Sequence, residues 1–292
     1  MHAVDMISGQ SIPFVELFSS NLRLLKRIFA HRCRRDHATE PRACRTREVF
    51  SPSLGNRYCG TSGLAFCLSI FLVAGSTLVF PQTLSAAIAF VQGNSADPQT
   101  SQTGVTVPYT VAQKAGDLNV VIVGWNDTTA QVNSVTDSKG NVYQRAGVPT
   151  LLSGTGSQSI YYARNIAVAA ANANVVTVSF NGSAAFPDIR ILEYSGIDPL
   201  SPLDVFVGAT GSSATSSSGP VTTTNASDLL VAANLIQTAT TGAGSGFSQR
   251  IITSPDADIA EDRVVTTAGS YTGTASLSGA GGWGTPFARS RT

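Results

Sequence analysis

Hydrophobic and polar positions along the chain fall into two regimes that meet near residue 87. Before it lies one unbroken apolar run, residues 63–80 (GLAFCLSIFLVAGSTLVF), with no charged residue and with Arg57 ahead of it. After it come short runs rich in Val, Ile, Thr and Tyr, separated by Gly, Ser, Asn and Asp, which is the pattern of strands joined by turns. Ten strands are predicted, over 88–92, 105–109, 119–125, 131–136, 159–163, 175–180, 188–195, 229–237, 248–253 and 262–267. Pro108 has no amide hydrogen to give a neighbour, so the second of these belongs at a sheet edge. With almost no helical periodicity beyond residue 87, the expected fold is all-β, an antiparallel β-sandwich of jelly-roll or Ig-like type. Residues 166–173 are the one helical alternative, and their Ala-rich stretch reads equally as a loop ending at Asn174.

Turns and a weak internal likeness refine this picture. Asp137-Ser-Lys-Gly140-Asn141 lies between two β-runs and predicts a hairpin turn. Residues 115–123 (AGDLNVVIV) resemble residues 226–234 (ASDLLVAAN), with Asp117 and Asp228 separated by 111 positions, as two related halves of a double Greek key would be. The Ser/Thr/Gly stretch 208–219 between them reads as a flexible connection inside one domain, since neither flank alone offers enough strands for two sheets.

The apolar run defines the organisation of the chain. Eighteen helical residues reach about 27 Å at about 1.5 Å each, close to the thickness of a bilayer core. Pro81 ends such a helix, and Ser85-Ala86-Ala87 offers small residues at the spacing a signal peptidase accepts, with cleavage expected before Ile88. Residues 61–87 are therefore one hydrophobic targeting helix, read as a signal peptide or as an uncleaved transmembrane anchor, and residues 88–292 are the exported sandwich. Residues 1–60 form a basic extension, read as disordered or as a start placed too far upstream. Within it Phe14, Phe18, Leu22, Leu25 and Phe29 recur at helical spacing beside Lys26 and Arg27, which suits a basic amphipathic helix on an anionic membrane face.

Charge and composition divide at the same place. Residues 1–57 hold ten of the nineteen Lys and Arg and five of the eighteen Asp and Glu, whereas the remainder has nine basic against thirteen acidic residues, a net of −4. All four cysteines (Cys33, Cys44, Cys59, Cys67) and all three histidines (His2, His31, His37) precede residue 68. A disulfide framework, a Cys/His zinc site and a His-dependent triad are thus excluded from the exported part. Its negative charge and lack of a basic cluster argue against nucleic acid.

At this point seven strings carry a resemblance: AIAFVQ, VVIVGWNDTT, SVTDSKGNVY, QSIYYARNI, ILEYSG, DLLVAANL and EDRVVTTAGSY. Together they resemble a group of secreted bacterial β-sandwich domains often found beside Ig-like or carbohydrate-binding modules, over most of residues 88–283. The resemblance implies a jelly-roll-type sandwich in an extracellular setting and no activity at named positions. Such domains finish with an apolar strand after the Gly-Trp, whereas here Gly282-Trp283 is followed by the polar GTPFARSRT, which contains Pro286 and does not alternate. This reads either as a lost closing strand or as a frayed tail.

Candidate chemistry is sparse. No G-x-S-x-G occurs, and Lys114 and Lys139 lie in turn-like polar sequence. Paired carboxylates are the surviving catalytic option; Glu193 and Glu261 are the only glutamates beyond residue 87, and Glu193 reads as paired with a nearby Arg or facing solvent. Asp256, Asp258, Glu261 and Asp262 form a D-x-D-x-x-E-D cluster that could give Ca²⁺ its oxygens, or a solvated acidic loop countered by Arg250 and Arg263. No other cofactor is expected. Tyr161 and Tyr162 are adjacent on a strand and must point to opposite faces, so one of them is expected outward or in a cleft as a ligand surface. The leading expectation is a non-catalytic binding or adhesion module, with polysaccharide or a cell-surface glycan as partner. A ligand-free structural spacer is the alternative, and a glycoside hydrolase the third.

Overall fold

The computed structural model describes residues 87–292. The expectations for the targeting helix at 63–80, the basic extension and the cleavage site lie outside the described residues. Within them the chain is all-β, antiparallel throughout, and contains no helix.

Eight strands make up the first half: β1 (Ala89–Ala96), β2 (Gln102–Tyr109), β3 (Leu118–Trp125), β4 (Val132–Asp137), β5 (Tyr143–Leu152), β6 (Gly156–Ala163), β7 (Asn174–Ala184) and β8 (Asp188–Ser195). They divide five to three, as a sheet of order β1-β8-β3-β6-β5 and a sheet of order β2-β7-β4. Seven follow: β9 (Leu203–Thr222), β10 (Asp228–Ala233), β11 (Leu235–Ile236), β12 (Thr240–Ala243), β13 (Ser248–Ile252), β14 (Ile259–Val265) and β15 (Ser270–Arg291). β10 lies between β14 and the last part of β15, whose other edge takes the start of β9. The early part of β15 pairs with β12 and with the end of β9. The second half therefore runs β9-β15-β10-β14-β13 and β9-β15-β12, the same order as the first, with two long strands each serving twice. The likeness centred on Asp117 and Asp228 marks the entries of the equivalent strands β3 and β10.

Side-chain alternation explains how these sheets stack. In β3, Val121, Val123 and Trp125 point into a core with Val105 and Val107 of β2 and Val176, Val178 and Phe180 of β7. Leu118, Val120 and Ile122 point the other way, into a second core with Leu192 and Tyr194 of β8 and Leu229, Val231 and Ala233 of β10. Leu230 and Ala232 of β10 then join Val221, Val265 and Phe287 in a third. The five-stranded sheet and the β9-β15-β10-β14-β13 part of the seven-stranded sheet of the second half thus pack on each other, which is why β3 and β10 are buried along their whole length. Strands apolar on both faces are the signature of a sheet covered on both sides.

Three expectations are corrected. Residues 208–219 are not a loop: they belong to β9, whose small side chains pair along β15. The segment after Trp283 is not a frayed tail or a lost strand but the centre of its sheet, flanked by β9 and β10, and its failure to alternate reflects burial on both faces. Pro286 is tolerated because β15 pairs with β10 only as far as Phe287 and with β11 only from Gly284, so no partner on that side faces it. The turn at Asp137–Gly140 joins strands of different sheets, β4 pairing with β7 and β5 with β6, and is no hairpin. Pro108 does lie on an edge strand, and residues 166–173 are a loop that touches Gln113 through Ala169.

Candidate functional site

Placing β5 on the five-stranded sheet leaves the facing sheet with only three strands, so the inner surface of β5 and β6 is incompletely covered. A cleft of about 270 Å³ opens there. One wall is the alternating positions of β5 and β6: Arg145, Pro149, Leu151, Ser157, Ser159 and Tyr161. The other is Trp125, the loop that follows it and the start of β4 at Val132. Arg145 and Tyr161 are direct cross-strand partners, so their side chains stand together.

Each lining group is held by a definite device. Asp127 shapes the opposite loop: Oδ1 accepts from the amides of Thr129 (2.8 Å) and Ala130 (2.7 Å), and Oδ2 from the amide of Ala185 (2.9 Å). Burial works against its charge, but these amides outweigh that and hold its carboxyl below the usual range. Trp125 is nearly fully buried, donates from Nε1 to the Ala130 carbonyl at 3.1 Å, and meets Phe180 edge-on at 5.6 Å. It supplies floor rather than platform. Gly147, at φ 71°, marks the irregularity in β5, and its carbonyl accepts from Arg145 Nε at 2.9 Å, which aims the guanidinium.

Tyr161 is half-buried, and burial raises its hydroxyl above the usual range while the neighbouring Arg145 cation and the adjoining Arg145 and Ser159 side chains lower it in part. Ser159 is 1% exposed and its Oγ has no hydrogen-bond partner. An unpaired buried hydroxyl costs about 1–3 kcal/mol, so a lone one at the wall of a cleft marks a place for an incoming polar group. The lining includes no Asp or Glu.

No protein-family model, no curated protein and no solved structure matches this chain.

Of the two tyrosines singled out by sequence, only Tyr161 lines the cleft. Tyr162 packs toward the core between the five-stranded sheets, and its hydroxyl donates to Gln144 Oε1 at 2.8 Å. Arg145, Ser157 and Ser159 were missed. Ser159 lay on a predicted strand and shares the face of Tyr161, which was a usable signal; Arg145 lay on β5, which Gly147 and Pro149 disguised as a loop.

The acidic cluster is corrected. Its members are not a solvated loop, for Asp258, Glu261 and Asp262 are all buried. Nor do they converge. Asp258 Oδ1 accepts from the Ile236 amide at 3.0 Å, Glu261 Oε2 from the Gly244 amide at 2.8 Å, and Asp262 takes a bidentate pair from Arg250 at 2.8 and 2.9 Å. Among the described residues no group of three or more such side chains is placed to hold a metal ion. Glu261 and Asp262 follow each other on β14 and so point to opposite faces, which the D-x-D-x-x-E-D spacing concealed. The Asp256 amide donates instead to Asp97 Oδ2 at 3.3 Å. Burial, with Asp188 and Asp256 nearby, pushes Asp97 up to about 6.

Glu193 also departs from expectation. It neither pairs with an Arg nor meets solvent: Oε2 accepts from Gln92 Nε2 at 2.6 Å, and its side chain adjoins the Asp117 carboxyl. Glu193 Oε1 and Asp117 Oδ2 have no other partner, and burial raises both acids above their usual range. In the second half, Arg289 occupies the register position of Glu193, opposite Leu230 as Glu193 is opposite Asn119. There Arg289 Nε meets Asp228 Oδ2 at 3.0 Å and the guanidinium also reaches Asp204. One half holds a buried ion pair where the other holds a carboxyl pair.

Proposed function

We propose that residues 88–292 are an extracellular, non-catalytic binding or adhesion module that takes a carbohydrate in the cleft beside Tyr161. One observation carries this reading: a half-buried tyrosine ring and a buried serine hydroxyl that makes no full hydrogen bond stand side by side at the wall of the cleft. Sugars present both C–H faces that lie on aromatic rings and hydroxyls that need hydrogen-bond partners, so this pairing suits them. A lining without carboxylates supports binding rather than glycoside hydrolysis, which needs two across the scissile bond. The adjoining carboxyls of Asp117 with Glu193 and of Asp97 with Asp256 lie outside the cleft lining. The strand order supports jelly rolls, two copies in tandem with the second condensed onto two long strands. Export rests on the sequence of residues 63–87, with a retained membrane anchor as the alternative outcome of that segment.

The test is a glycan array and polysaccharide pull-down on the full chain, comparing Tyr161→Ala with Tyr162→Ala. Selective binding lost in the first and kept in the second supports the proposal; binding that survives Tyr161→Ala refutes the cleft. A structural spacer without ligand is the second reading. It is favoured by the aromatic side chains committed to the cores, Trp125, Tyr194 and Phe287 among them, and it predicts no selective binding at all.

A further inference from the structure

Charge at the cleft narrows the class of sugar. Arg145 is the single ionisable cation in its lining, and no carboxylate lies in that lining. The nearest acid along the loop, Asp127, has both oxygens committed to amides of its own and the neighbouring loop. Arg145 is exposed and forms no ion pair among the described residues. Its Nε is spent on the Gly147 carbonyl, which fixes the plane of the guanidinium, and the fork adjoins the Tyr161 hydroxyl with N–H donors left over for another acceptor. A planar, oriented fork of N–H donors matches a carboxylate, which it can bind through two parallel hydrogen bonds. Ser159 Oγ, buried and without a partner, lies on the same face two residues from Tyr161, whose strand neighbour is Arg145.

On the strength of that arrangement, and resting on the glycan-binding reading above, we infer that the cleft selects carboxylated sugars, a uronic acid residue within or at the end of a polysaccharide. The carboxylate pairs with Arg145, the ring lies on Tyr161, and a sugar hydroxyl meets Ser159 Oγ. A volume of about 270 Å³ falls just below the roughly 300–1,000 Å³ usual for drug-sized ligands, which is the scale of one sugar ring rather than a long chain.

The experiment measures binding of the full chain to oligogalacturonate and to the matched neutral oligogalactoside by calorimetry. Wild type, Arg145→Gln, Ser159→Ala and the exposed control Arg164→Gln are compared, each checked for an unchanged melt. The expected result is at least about tenfold tighter binding of the uronate by wild type and by Arg164→Gln. Arg145→Gln is expected to erase that preference while keeping the neutral affinity, and Ser159→Ala to weaken both ligands alike. Equal binding of the two oligosaccharides, or a uronate preference that survives Arg145→Gln, overturns the inference and leaves the glycan reading standing. No binding of either, with none across a wider glycan panel, overturns both.

Discussion

Replacing Glu261 by Gln tests how the buried acids of β14 weigh on stability. Glu261 is 1% exposed, and burial, with Asp262 beside it, pushes its carboxyl up to about 7 despite the hydrogen bond from the Gly244 amide. In the unfolded chain a glutamate ionises near its model value of 4.5. The folded protein therefore holds a proton that the unfolded chain has released between those two values. Its contribution is fully present below about 4.5 and is lost as pH rises through about 7. At about 1.36 kcal/mol per pKa unit, the loss is about 3 kcal/mol by pH 8.5. The amide of Glu261→Gln can still accept from Gly244, and its NH₂ adds a pH-independent cost of about 1–3 kcal/mol for a buried donor without a partner. Urea melts of wild type and variant should thus show a difference that moves by about 3 kcal/mol in the variant's favour between pH 4.5 and 8.5. In thermal melts this is roughly 6–12 °C for a unit of this size. Two curves offset by a constant amount across that range would refute the argument, for then Glu261 does not titrate against its burial.

Other outcomes follow from the same geometry. Asp228→Asn should destabilise by about 3–5 kcal/mol at neutral pH, because it strips the buried Arg289 of one of its two carboxylates, and denaturant titration reads this directly. Glu193→Gln should do the opposite above neutral pH, raising the melting temperature, since it removes one acid of a buried pair that burial already holds above its usual range. Gly147→Ala should cost about 1 kcal/mol or more, for it forces a side chain to φ 71° and drives a Cβ against the Phe206 ring; a variant that melts with wild type would refute it. Tyr161→Ala should weaken glycan retention about five- to tenfold, measured by affinity electrophoresis, with a melt lowered by the loss of its packing on the core but still cooperative.

Where each strand was legible depended on how many of its faces are buried. β3 and β8, apolar almost throughout, stood out as buried strands, and β2 announced its edge through Pro108. β9 and the end of β15 did not, because the side chains along 208–219 and, apart from Trp283, Pro286 and Phe287, along 282–291 are small or polar and their pairing comes from partners far along the chain. The repeated strand order was hinted at by the likeness around Asp117 and Asp228, but not its extent, since β9 and β15 each fuse what the first half builds as two strands. At the site, the adjacency of Tyr161 and Tyr162 forced one toward the open face, which strand geometry alone dictates. The acidic cluster misled because a spacing in sequence says nothing of the face each residue takes once it joins a strand, and Arg289 standing in for Glu193 is a difference of partners that only register reveals.

The packing of one five-stranded sheet on its counterpart has a consequence for what a duplicated module can become. Copies joined end to end as beads can be lengthened, shortened or shuffled, since each bead is content alone. Here each copy turns its apolar sheet, Leu118, Val120 and Ile122 on one side and Leu229, Val231 and Ala233 on the other, into the other's solvent shield. The two halves are thereby one unit of packing: neither can be removed without exposing the face that the other covers, and a change in the wall between them must be answered from both sides.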